Sequence, residues 1–168
     1  MSPLYTFARI LRLISLAMLF GGSTATVFAA ITLIFAAKAH GVPALEAAAT
    51  NAPVFIEFSK VAAIFAVTLV IAEAIEIKGD LHSLEGRNHK WRMGRYAASI
   101  ACAICTFIFS FGIVPPMQQA MTQMKTNEAA HTEFERMHKL SQVIFSGTIA
   151  FALVSLIIPA LGGRKVTD

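Results

Sequence analysis

The chain has 168 residues, of which 56% are hydrophobic and 14% charged, with a formal net charge of +4. About a quarter of the residues of a soluble domain are charged, so this composition excludes an ordinary water-soluble surface. The mean hydropathy of +0.65 comes from long apolar runs. The cations sit beside those runs, which is the placement that sets membrane orientation rather than one that binds nucleic acid.

The first apolar run, Leu13 to Ala37, carries no charge. It follows Arg9 and Arg12 in the manner of a signal sequence, but it is too long for a signal h-region. It therefore reads as a retained first span, stopped by Gly41 and Pro43. Small residues recur every fourth position along it, at Ala17, Gly21, Ala25 and Ala29. That spacing lets helices approach closely, and it is expected to form a packing face within the monomer.

Residues 38–52 read as a short Ala-rich loop. Asn51 is the expected N-cap of a second span, with Pro53 in its first turn, running to Ile77. Within it, only the uncharged stretch Val61 to Ala72 separates Lys60 from Glu73. At about 1.5 Å per residue those two positions are roughly 20 Å apart, against a hydrocarbon core about 30 Å thick. One of them must lie at membrane depth. Lys60 can reach outward and pair with Glu57, three residues earlier. Glu73 has less reach and is expected to face the bundle interior. An intramembrane carboxylate marks either a functional site or an interhelical hydrogen-bond network.

The third run, Tyr96 to Val114, is closed by Pro115-Pro116. It contains both cysteines, Cys102 and Cys105. Three residues apart on one helix, they are poorly placed for a structural disulfide. Residues 117–139 contain no Gly or Pro and predict a helical extension outside the membrane, leading into a fourth run, Leu140 to Leu161. The four helices are expected near residues 10–37, 53–77, 95–115 and 137–161, as one all-α transmembrane domain over residues 1–168.

Orientation follows from the cations. Arg9, Arg12, Lys78, Arg87, Lys90, Arg92, Arg95, Arg164 and Lys165 fall on one side, nine of the 14 lysines and arginines. The excess places both termini in the cytoplasm, with Trp91 and Tyr96 as interfacial aromatics.

Three groups of side chains bear on chemistry. Glu128, His131, Glu135 and His138 follow at intervals of three, four and three, so they share one helix face. Imidazole and carboxylate at this spacing suit a divalent metal, and equally a solvated polar face. His138, beside the fourth apolar run, also stands where an axial haem ligand or a buried hydrogen-bond donor belongs. Met117, Met121 and Met124 share a face, with Met137 nearby. Thioethers suit soft metals such as Cu(I), and equally pack cores. No nucleophile elbow, phosphate-binding loop or nucleotide fingerprint is present, so nothing in the chain points to an enzyme or to a catalytic residue.

Residues Phe134-Glu135-Arg136-Met137-His138-Lys139-Leu140-Ser141 resemble the Phe-x-x-Leu-His-x-x-Ser signature of the transmembrane protein 205-like family, with Met137 in place of Leu. Leu19-Phe20-Gly21-Gly22 is similar to the Gly-containing first helix of that family. The resemblance implies a small four-helix membrane protein, distantly similar to copper-resistance membrane proteins, with eukaryotic relatives associated with resistance to platinum drugs. Two functions are expected of such a chain, in a bacterial cytoplasmic or thylakoid membrane. One is a non-catalytic accessory subunit that contacts lipid and other membrane-protein subunits of a respiratory or photosynthetic complex. The other is a protein that binds or moves a soft or transition metal, or holds a haem.

Overall fold

The computed structural model describes residues 3–80, 89–124 and 126–162, and all of its elements are helical. Four helical spans are long and apolar enough to cross a membrane. The first is α1 (Pro3–Ala39) and the second α2 (Ala44–Asp80). The third is composite: α3 (His89–Phe107), a π-helical segment (Ile108–Ile113) and α4 (Val114–Gln123). The fourth is α5 (Glu128–Gly162). Arg87, Arg164 and Lys165, three of the nine cations counted on one side, lie outside the described residues, as does Lys125 on the other.

The helices are longer than the apolar runs, and three boundaries differ from expectation. The first is at the start of α2. α1 ends in a left-handed glycine, Gly41 (φ 78°). Its amide donates to Lys38 O at 3.0 Å, and the Val42 amide donates to Ala37 O at 3.1 Å, the two bonds of a Schellman stop. α2 then starts at Ala44 rather than at an Asn51 cap. The Ala-rich stretch has the highest helix propensity available, and Pro53 is carried inside the helix, as membrane helices tolerate.

The second difference is at Pro115-Pro116, which does not end the third span. A proline cannot donate to the carbonyl four residues back, and its ring crowds that carbonyl. The preceding turn is widened to π, with the Val114 amide donating to Phe109 O. The prolines then occupy the opening positions of α4, where a missing N–H costs nothing.

Third, the extension before α5 is interrupted rather than continuous. Asn127 Oδ1 accepts from the amides of Ala129 and Ala130 at 3.0 and 3.4 Å, so Asn127 caps a new helix.

The spans meet around Leu16, Leu19, Ala66, Leu69, Cys102 and Ala152. Toward the α1–α2 turn a second cluster joins Ile56, Phe109, Val114 and Phe145, and beyond it a third holds Met117, Ala120 and Phe134. Large apolar side chains such as Phe28, Ile64, Phe111 and Val143 remain exposed on all four spans, as a lipid-facing surface requires.

The stripe Ala17, Gly21, Ala25 and Ala29 is not an internal packing face. All four residues are exposed, and a Cβ built on Gly21 meets nothing within 4 Å. α1 buries a different face: Ala8, Arg12, Ser15, Leu19, Ser23, Thr26 and Ala30. Leu16 and Leu19 on that face fill the core. Tyr96 is likewise not an interfacial aromatic: it is buried, with the Arg95 guanidinium 4.2 Å from its ring centroid, a cation–π contact. Trp91 is exposed.

Candidate functional site

Two polar constellations are held by the spans, one at each end of the bundle. The first lies where α1 begins, α2 ends and α3 begins. On α2 the buried residues Ala62, Ala66, Leu69 and Glu73, followed by half-buried Glu76, step by four, three, four and three, which is one helix face. The face that packs the core with alanine and leucine thus ends in two carboxylates. Arg12 occupies the same kind of position on α1, between Ala8 and Ser15. Arg95 does so on α3, ahead of Ser99 and Cys102.

These four side chains form one network. Arg12 Nε donates to Glu76 Oε1 at 3.0 Å. Arg95 Nη2 lies 2.9 Å from Glu76 Oε2, and Arg95 Nη1 lies 3.4 Å from Glu73 Oε2. Arg12, Glu73 and Arg95 are 3%, 2% and 6% exposed. Below Glu73, Ser99 and Ser155 share a hydrogen bond of 2.6 Å, tying α3 to α5. Two positive and two negative groups cancel, so the network sits in the interior without net charge. Ion pairs of this kind fix geometry more than they add stability. Arg12 and Arg95 read in sequence as flanking cations. Their place on the buried stripes is the signal that distinguishes them.

Glu57 and Lys60 stand apart from this network, paired with each other at 2.6 Å on the exposed side of α2.

The second constellation lies toward the α1–α2 turn. His138 on α5 is half-buried and stacks on Phe134, with ring centroids 6.1 Å apart and planes 7° apart. Its Nε2 lies 3.1 Å from Gln142 Nε2. An amide nitrogen has no lone pair to offer, so Gln142 donates and the imidazole nitrogen accepts. His138 and Met117 both line a cavity of 230 Å³ bounded by α1, α2, the composite third span and α5, with Phe55, Phe109, Phe134 and Phe145 among its walls.

The other expected ligands do not converge there. His131 and Glu128 are exposed, and Glu135 is held by Lys139 at 2.7 Å. Met121, Met124 and Met137 pack around Met117, Ala120 and Phe134. Among the described residues, no three His, Cys, Asp or Glu side chains gather as a metal-ligand set. Cys102 and Cys105 are free thiols, and Cys102 donates to Thr148 O at 3.5 Å.

Residues 14–126 match the profile of a family described as Domain of unknown function (DUF4149). The match takes in α1 from Ile14 onward, α2 and the composite third span. It ends before the Phe134–Ser141 segment. No curated protein matches the chain, and no solved structure matches it.

Proposed function

We propose that this chain, which belongs to the DUF4149 family, is a non-catalytic accessory subunit that packs within the bilayer against a larger respiratory or photosynthetic complex. It acts as one four-helix domain, with both termini in the cytoplasm, in a bacterial cytoplasmic or thylakoid membrane. The observation that carries this reading is the outward stripe of α1. Ala17, Gly21, Ala25 and Ala29 are exposed, and the groove at Gly21 is open. In lipid, helices associate through close backbone approach at small residues, because apolar area alone gives no preference for protein over lipid. The buried ion pairs supply a rigid frame behind that face.

A photo-crosslinker placed at Ala25 tests the reading in native membranes. One partner subunit should be captured from position 25, not from exposed Val143 on α5, and Gly21→Leu should abolish the adduct. Equal labelling at both positions, or lipid adducts alone, removes the accessory-subunit reading.

A second reading, a soft- or transition-metal or haem site, draws on the cavity that brings Met117 and His138 to a common wall. The likeness of residues 134–141 to the transmembrane protein 205-like signature supports the same reading through His138. Metal analysis and absorption spectroscopy of the purified protein test it.

A further inference from the structure

The cavity toward the α1–α2 turn, which the metal reading also draws on, holds a polar group that neither reading uses, the Gln142 amide. One wall is polar and belongs to α5. His138, Gln142 and Ser146 are spaced by four and line it, so they form one ridge along the helix. Gln142 and Ser146 are exposed although they lie inside the last apolar run. An amide at such a depth, with no water to serve it, calls for a polar partner. Gln142 has two amide hydrogens. One is directed to His138 Nε2, which leaves the second for an outside acceptor. The opposite walls are aliphatic and aromatic apart from Asn51, with Val27 and Ile31 on α1 and Phe55 on α2. Ile31 is exposed at the mouth, so the cavity opens sideways between α1 and α5.

We infer that this cavity binds a neutral, carbonyl-bearing ring with a hydrocarbon tail, a quinone-type lipophile of the membrane. The volume of 230 Å³ exceeds the roughly 150 Å³ in which an apolar protein cavity holds benzene, so one substituted ring fits. The phenyl walls receive the ring, the Gln142 amide donates to its carbonyl, and the tail leaves past Ile31 into the acyl chains. The neutral ridge selects against a charged head. This inference stands apart from the accessory role, since the cavity and the α1 stripe lie on different faces of α1.

The test is calorimetric titration of the purified full chain in detergent with a decyl-substituted benzoquinone. Decylbenzene, with a six-membered ring and the same tail but no carbonyl, and a short-chain phosphatidylcholine serve as comparison ligands. The benzoquinone should bind at micromolar concentration with one molecule per chain. Decylbenzene should bind about tenfold more weakly, as the loss of one hydrogen bond implies. Gln142→Leu should weaken benzoquinone binding by a similar factor without lowering Tm, because the residue is exposed. Ala52→Leu, which narrows the cavity, should abolish binding, and if that variant does not fold, Gln142→Leu decides. No binding, equal binding of decylbenzene, an unchanged affinity in Gln142→Leu, or displacement by phosphatidylcholine at lower concentration each overturns the inference. The last outcome would identify an ordinary lipid site.

Discussion

Arg12 and Glu76 are 64 positions apart in the chain and 3.0 Å apart in space. Glu76 also takes Arg95 at 2.9 Å, so it joins α1 to α3 through α2. Glu73 has the longer contact, 3.4 Å to Arg95. Glu76, the less buried of the two carboxylates, is therefore the centre of the network.

Glu76→Gln should destabilise the protein more than Glu73→Gln. It leaves two buried guanidiniums short of a counter-charge, and breaking a buried pair costs about 3–5 kcal/mol. The exchange Arg12→Glu with Glu76→Arg should recover part of that loss, since it restores one pair while setting the guanidinium introduced on α2 against Arg95. Unfolding in detergent, followed by circular dichroism, measures both. Equal loss from the two glutamine variants would contradict the ranking.

Two adjacent glycines should respond oppositely to alanine. At Gly22 the added Cβ would lie 2.8 Å from Phe58 Cε2. The Phe58 ring is itself packed edge-on to Phe145 at 6.0 Å, so it has little room to yield. Gly22→Ala should cost about 1–3 kcal/mol as overpacking does. Gly21→Ala meets nothing and should be neutral or stabilising by up to about 1 kcal/mol, through helix propensity. Thermal unfolding of the two variants side by side decides it.

The two ends of the bundle should label from opposite sides of the membrane. His40 lies at the α1–α2 turn and His89 at the start of α3, and both are exposed. In a background lacking Cys102 and Cys105, His40→Cys should react with an impermeant maleimide added outside intact cells. His89→Cys should react only after permeabilisation. The reverse pattern would invert the proposed orientation.

Metal removal separates the two proposed functions. If the chain is an accessory subunit, chelators should leave Tm unchanged, and His131→Ala should match the parent protein. Under the metal reading, a chelator lowers Tm, and His138→Ala abolishes stoichiometric metal while His131→Ala retains it. A ligand that binds only the native state raises stability by mass action, so the shift is read directly in a melting experiment with and without chelator.

The four spans were legible because apolar length is a strong signal. Their ends were less so. Pro115-Pro116 reads as a stop unless the widened turn before it is known, and a π segment leaves no composition signature. The pairing of Glu57 with Lys60 followed from spacing alone, since i and i+3 are neighbours on any helix. The placement of Arg12 required knowing which face of α1 is buried. The every-fourth stripe of small residues drew attention to the wrong face, because Ser15, Ser23 and Thr26 also pack closely and share the buried side with Leu19. The cavity beside His138 depends on how all four spans diverge, which no local pattern records.

The buried quartet also constrains how the chain enters a membrane during synthesis. When α1 is made, Arg12 has no partner, because Glu76 is still 64 residues from being added. After α2, the group has one positive and two negative charges. Neutrality arrives only with Arg95, at the start of the third span. A single span inserted into lipid would hold an unmatched ion, which is unfavourable at membrane depth. The charges of the first three spans are therefore matched only when all three are packed together.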